Sequence, residues 1–531
     1  MRNSESRPDP PGKDGRAGKN DKKHLSEGTR LIELANDQDY WHSPDGTTYV
    51  TVAVGDHVEH LGVRSRTFRR WLQKIFYRGT GNACGSHGLQ DAIGVLEAVA
   101  DDGPEHLVFI RCGQRDGKIY IDLCNPSWAA IEVDADGWRI VNNPPVRFRR
   151  AKAMLSLPTP ERGGQITELR RFVNVAETDW PLVLGWLVAA VYPSGPYPVL
   201  CFSAEQGSGK STTARVLRAL VDPNTAPLRC EPREARDLMI AANNGWLVAL
   251  DNLSHVSTWL SDALCRLSTG GGFSTRTLYE NDEETIFDSK RPILLNGIDD
   301  VIARGDLLDR AIIVNLPTIR EDQRRAEADF WQDFETVKPA IFGALLDALS
   351  VAMRNLPTVC LATLPRMADF AKLATAAEVG LGLDSGSFAA AYCGNISDSN
   401  SLALDATLIA THLMDLAMRG YWQGTSTELL AQINQNADET VKRERAWPKS
   451  ARALSGTINR IAPNLRRAGI ALEHWREPDQ GRRRMLSLAR VGNGSSEPSA
   501  PSETAAIPDT RRTQADDRRT VNRSDPDESR T

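Results

Sequence analysis

One stretch constrains this chain more than any other: PVLCFSAEQGSGKSTTARVLRAL, residues 198–220. Pro198–Ser203 reads as a buried strand and Ser211–Leu220 as an amphipathic helix, with a glycine-rich turn between them. Strand, G-x-x-x-x-G-K-[ST], helix is the order that cradles phosphate, because backbone N–H groups curl inward and the helix N-terminus adds partial positive charge. Gln206, Gly207, Ser208, Gly209, Lys210, Ser211 and Thr212 form the expected cradle. Lys210 would bridge the β- and γ-phosphates and the Ser211 hydroxyl would ligate Mg²⁺, so the expected cofactors are ATP and Mg²⁺. Ala204 replaces the first glycine of the pattern, which is harmless at negative φ and costly at positive φ. A glycine turn that holds no ligand is the bland alternative; the matching flanks favour the nucleotide.

Three further segments extend this unit. GWLVALDN ends a buried strand at Asp251, placed to hold the Mg²⁺ shell, and Asn252 follows where many ATPases carry a glutamate. Asparagine orients a water but cannot take its proton, which leaves Glu205, inside the loop, as the substitute base. RPILLNG ends at Asn296, a candidate γ-phosphate sensor, and ARGDLLDRAIIVNLP carries Arg304 and Arg310 before a fourth strand. This order resembles an AAA+ core, and Arg-x-Asp-Leu-x-x-Arg resembles the arginine-finger helix of bacterial AAA+ transcription activators. The resemblance implies arginines that reach a neighbouring subunit's ATP in a homo-oligomer, with a hexameric ring among the options. The alternative is that both simply pair with nearby acids such as Asp306 or Asp309.

Between Asp251 and Asn296 a hairpin is expected, with strands Phe273–Tyr279 and Thr285–Phe287 around Glu280–Asp282. Its position resembles the DNA-gripping hairpin of superfamily 3 helicases, but this tip is acidic and would repel DNA. Arg276 and Lys290 flank it as the available cations. Residues 321–425 read as a helical lid over adenine, with Arg366 as a second sensor or a helix-capping arginine.

Ahead of the loop, residues 39–157 alternate short strands with helices, an α+β domain. SRTFRRWLQKIFYR sets Phe68, Trp71, Leu72, Ile75 and Phe76 on one face and Arg66, Arg69, Arg70, Lys74 and Arg78 on the other. That stripe suits a phosphate backbone, a solvated face or an acidic neighbour. Residues 426–490 read helix–helix–helix–hairpin, which resembles a winged helix. From Lys442 to Arg484 there are 12 Lys and Arg against 4 Asp and Glu, within a chain of net charge −5. Arg452 and Arg460 would lie on a recognition helix and Arg482 and Arg483 in the wing, contacting single-stranded or duplex DNA or docking a protein.

The remainder bounds rather than specifies. A chain of 531 residues holds several domains. Residues 1–28 have almost nothing to bury and residues 491–531 contain no aromatic residue, so both are expected to be disordered. No apolar run approaches the ~20 residues of a membrane span, so a cytoplasmic protein is expected. The eight cysteines show no CxxC pair; Cys84, His87, Cys112 and Cys124 would have to converge to hold zinc, and buried thiols are the simpler account. From about Trp41 to Arg490 the chain resembles a bacterial family of helicase-like ATP-binding proteins of phages and mobile elements. GWRIVNNPPVRFRR, SDALCRLSTGGGF, RPILLNGI, RGDLLDRAI and PRMADFAK carry that resemblance together with the loop. It implies an AAA+ ATPase that works on DNA as helicase, remodeller or replication-initiation factor; no primase-type Asp-x-Asp precedes the loop. A nucleotide-gated DNA-binding switch with slow hydrolysis, or a protein-remodelling or defence ATPase, would carry the same motifs.

Overall fold

The computed structural model describes residues 25–271, 273–276, 284–287, 290–297, 302, 304–444, 446–477 and 483–491. The expected disordered segments therefore lie almost wholly outside the described residues. Their inner edge moves, however, because a helix starts inside the first of them.

That helix, α1 (Glu27–Ala35), is capped by Ser26, whose hydroxyl accepts from the Thr29 amide at 3.1 Å. It is followed by β1 (Asp39–His42), β2 (Thr48–Val54), β3 (His57–Gly62), α2 (Arg66–Thr80) and α3 (Ser86–Asp101). β1, β2 and β3 form an antiparallel sheet, and the three helices close over it. Leu31, Val50, Phe68, Leu72 and Leu96 fill this small, separate core.

β4 (Val108–Phe109) pairs with β9 (Arg147–Phe148), and between them β5 (Cys112–Arg115), β6 (Lys118–Asp122), β7 (Ala130–Asp134) and β8 (Gly137–Val141) form an antiparallel meander. The meander packs into the largest core of the molecule, together with the helices that follow. The single domain expected over 39–157 is thus two units: a small one on its own core, and a sheet that belongs to the main body. Alternating strand patterns cannot report which core they serve.

α4 (Trp180–Val191) is apolar on every face and every residue of it is buried, as its composition requires. Beyond it run β10 (Val199–Ser203), α5 (Lys210–Val221), α6 (Ala235–Asn243), β11 (Val248–Leu253), α7 (Thr258–Thr269), β12 (Phe273–Arg276), β13 (Glu284–Phe287), β14 (Ile293–Gly297), α8 (Gly305–Leu308) and β15 (Ala311–Asn315). Four of these strands make a parallel sheet in the order β11-β14-β10-β15. Parallel strands buried on both faces read as continuous apolar runs, which is why VLCFS, LVAL, ILL and AIIV were legible. β12 and β13 form the expected hairpin, with Arg276 opposite Glu284; its acidic tip lies outside the described residues.

Most of the helical region is packed on the body, and only its first turn reaches the loop. α9 (Glu327–Asn355) packs against α4, and the cavity-filling side chains Phe334, Ile341, Phe342, Leu345 and Leu349 are fully buried. It also meets the meander: Trp138 Nε1 donates to Asp347 at 2.8 Å, and Ser350 Oγ donates to the Asp134 carbonyl at 2.6 Å. Gly343 is needed there, since a Cβ would sit 1.8 Å from the Glu161 carbonyl oxygen. Contrary to expectation, this helix with its short 3₁₀ extension is long and apolar enough to cross a membrane by length and composition, but its apolar face is packed inside the protein. α10 (Ala368–Ala377) and α11 (Ser387–Asp405) complete the layer, with Phe370, Phe388 and Tyr392 in mutual ring contact.

The C-terminal unit begins earlier than residue 426. α12 (Ala410–Arg419) and β16 (Trp422–Thr425) share a core with α13 (Ser426–Asn436), α14 (Glu439–Arg443), α15 (Ala451–Arg467), β17 (Ile470–Arg476) and β18 (Arg484–Arg490). The sheet order is β16-β18-β17. α15 is one helix rather than the two expected, running through Pro463. Its Leu454, Ile458, Ile461 and Leu465 repeat at helical spacing and bury against the sheet, which outweighs the one backbone donor that proline removes.

Candidate nucleotide site

The glycine-rich loop leaves the carboxyl end of β10, a central strand, and enters α5. Gly207 and Gly209 have φ of +82° and +80°, where a side chain would be strained. Ala204 is not among the residues with positive φ, so alanine is compatible with its place. The Ser208 hydroxyl closes the loop on itself by donating to the Glu205 carbonyl at 3.0 Å. Lys210 Nζ donates to the carbonyls of Ala204 and Glu205. The Glu205 and Gln206 side chains are exposed, and Thr212 faces the cavity described below.

Three polar side chains from three elements converge beside the loop. Ser211 Oγ donates to Asp251 Oδ1 at 3.1 Å, and Asn296 Nδ2 donates to the same oxygen at 2.9 Å. β11 and β14 are adjacent, and a register irregularity between Leu250 and Leu253 lifts Asp251 out of the regular ladder. Asn252 sits in that irregularity at φ +56°, and its amide donates to Asp251 Oδ1 at 3.0 Å. Asparagine tolerates this left-handed geometry better than most residues, which is a local reason for its presence there. Asn296 is fully buried and its Oδ1 has no hydrogen-bond partner, an acceptor held next to Asp251.

Sequence reading missed the other wall. A cavity of about 740 Å³ opens beside the loop, between residues 170–174, the first turn of α5 and residues 319–331. Phe172, Phe330, Trp331 and Ile319 give it apolar surface. Asn174 fastens the loop to this wall, its Nδ2 donating to the Ser208 carbonyl at 2.8 Å and to the Pro317 carbonyl at 2.5 Å. Nothing in the sequence around Asn174 marks it, since its partners lie 34 and 143 residues away.

The expected arginines sit elsewhere. Arg304 pairs with Asp262 and Asp306, each at 3.0 Å, and the Asp306 hydrogen bond raises its pKa further. Arg310 donates to the Asp306 carbonyl at 2.7 Å. Arg366 does not approach the loop: it pairs with Asp309 at 3.0 Å, and Asp309 also takes Arg467 of α15. Asp309 thus joins Arg366 of the body to Arg467 of the C-terminal unit. Lys290 Nζ donates to the Gly195 carbonyl at 3.2 Å, and Arg276 lies in β12.

Two basic surfaces remain. On α2 the side chains of Arg66, Arg69, Arg70, Lys74 and Arg78 are all exposed, opposite buried Phe68, Leu72 and Phe76. On α15 Arg452 and Arg460 are exposed, Arg460 donating to Thr457 Oγ1 at 3.2 Å. Arg483 pairs with Glu477 at 2.9 Å, and Arg482 lies outside the described residues. Among the described residues no group of three His, Cys, Asp or Glu side chains is placed to hold a metal ion, Cys84, His87, Cys112 and Cys124 included.

No curated protein matches the chain. Among solved structures, an A-form apo structure of the NrS-1 C-terminal region is 11% identical with a TM-score of 0.39, covering 87% of this chain and 98% of that one. A second apo structure of the same region is 11% identical with a TM-score of 0.36, covering 88% and 100%. Residues 166–401 match the family model of the actinomycete integrative conjugative element replication protein. Residues 409–503 match the RepA C-terminal domain of such elements, a start that coincides with the unit opened by α12. The two matches together span more than half of the chain, and the protein carries both domains of this family: it is a replication protein of a mobile element.

Proposed function

We propose that this replication protein binds ATP with Mg²⁺ in the loop at 204–211 and hydrolyses it as an AAA+-type ATPase during replication initiation. The observation that carries the reading is the convergence of Ser211, Asp251 and Asn296 at the carboxyl ends of neighbouring parallel strands, where open α/β sheets bind ligands. A hydroxyl and a carboxylate are the hard oxygen donors that Mg²⁺ takes, alongside phosphate oxygens. The bound ion would neutralise charge developing on the phosphates. Lys210 swings from two loop carbonyls to the phosphates, the loop amides hold them, and Asn296 positions the attacking water. Glu205, exposed on the loop, is the candidate base.

The C-terminal order α12-β16-α13-α15-β17-β18 supports a winged-helix reading, with Arg452 on the exposed start of the recognition helix. Together with the α2 stripe it would hold single-stranded or duplex DNA in the cytoplasm. Arg304 and Arg310, away from their own loop, would serve a neighbour's ATP in a homo-oligomeric ring, once Arg304 is released from Asp262 and Asp306.

The test is ATP turnover by the full chain with and without DNA, beside Lys210→Ala. DNA-stimulated turnover lost in that variant supports the reading; turnover equal to the variant's sinks it. Asn252, in place of an acid, favours one second reading: a nucleotide-gated switch that hydrolyses slowly. Glu205→Ala and Asn252→Ala separate the two, because an enzyme loses turnover where a switch changes only its assembly.

A further inference from the structure

Five arginines line the cavity beside the loop: Arg170, Arg171, Arg215, Arg324 and Arg325. Four of them are matched by a carboxylate. Arg170 pairs with Glu177, Arg171 with Glu168 at 2.8 Å, Arg215 with Glu327 at 3.0 Å, and Arg325 with Asp333. Arg324 has no ion pair or side-chain hydrogen bond among the described residues. It is also the arginine nearest the glycines of the loop. Its Nη2 lies 3.6 Å from where a Cβ on Gly207 would stand, while Ile319 of the same segment lies 3.1 Å from the equivalent point on Gly209. The segment is held in place on both sides, by Asn174 to Pro317 and by Arg215 to Glu327. An exposed guanidinium thus stands without a carboxylate beside the loop, while the cavity's four other arginines are each paired.

We infer that Arg324 is a phosphate-binding residue of the nucleotide site, supplied by the same chain as the loop. The inference rests on the proposed nucleotide reading and adds to it a cation that the loop pattern does not contain. Guanidinium offers paired N–H donors that match two phosphate oxygens, and such charge-assisted bonds are the strong ones. The segment 317–331 would then close on the nucleotide through Arg324 while Phe172, Phe330 and Trp331 receive the base.

The experiment is equilibrium binding of a fluorescent ATP analogue to the full chain, for wild type, Lys210→Ala, Arg324→Ala, Arg324→Lys and Arg325→Ala. Arg324→Ala should weaken binding about tenfold, the loss of one charge-assisted contact. Arg324→Lys should recover part of it, and Arg325→Ala should bind like wild type. Wild-type affinity in Arg324→Ala, where wild type saturates and Lys210→Ala does not, overturns this inference alone. A loss of DNA binding in Arg324→Ala with unchanged nucleotide binding overturns it too, reassigning the cation to nucleic acid. No saturable binding by wild type overturns the nucleotide reading itself.

Discussion

The two ends of α5 are both polar, and they use polarity in opposite ways. At its C-terminal end Asp222 is fully buried, paired with fully buried Arg111 at 3.0 Å. The same carboxylate accepts from the amides of Trp246 and Leu247 at 3.0 and 3.2 Å, with Arg218 close by at 3.8 Å. Arg111 in turn donates to the carbonyls of Asp122 and Leu155 at 2.9 and 2.8 Å, so meander, helix and the approach to β11 are tied at one point. Burial is deep enough to push the Arg218 guanidinium down to about 10. At its N-terminal end, by contrast, Lys210 rests on two carbonyls, Asn296 leaves an acceptor orphaned and Arg324 stands unpaired. A polar cluster that satisfies itself is architecture. One that leaves donors and acceptors open beside a cavity has room for a ligand.

The largest expected effect breaks the closed end. Asp222→Ala strands two buried guanidinium groups and should cost about 3–5 kcal/mol in urea unfolding. A loss below about 1 kcal/mol would show that the hub is not architectural. Next comes the open end, where Lys210→Ala should change stability by no more than about 0.5 kcal/mol yet lower ATP turnover about 100-fold or more. Equal losses of stability from both variants would erase the contrast. Smaller again, Asn174→Ala removes one hydrogen bond to the loop and one to Pro317, at about 1 kcal/mol each, and should weaken ATP binding roughly tenfold with Lys210 intact. Binding unchanged in that variant would mean the loop holds its shape without its clamp.

The same contrast explains what the sequence let one read. The open end is contiguous: strand, loop and helix follow one another, and Asp251 and Asn296 each end an apolar run, so periodicity found them. The closed end joins Arg111 to Asp222 across 111 residues, and no local pattern records such a pair. The ion pair of Arg366 was illegible for a related reason. The helix that follows Arg366 was expected, but the arginine's partner Asp309 comes from 57 residues away and is shared with Arg467 of α15. α12 and β16 were assigned to the wrong unit because nothing in their composition says which core they fill. Arg324 and Asn174 reach the site from segments whose only signal is tertiary.

The smallest effect concerns the one departure from the loop pattern. Ala204 is nearly buried at 9% exposure and lies outside the positive-φ set that Gly207 and Gly209 define. Glycine there would restore the full pattern while adding only backbone freedom to the unfolded chain. Ala204→Gly should therefore lower stability by about 0.5–1 kcal/mol and leave ATP affinity where it was. A gain in affinity would mean that the loop must pass through a left-handed geometry at 204 when phosphate binds. In that case the open end of α5 would be a site that rearranges around its ligand, and the contrast between its two ends would be one of mobility as well as of unmet hydrogen bonds.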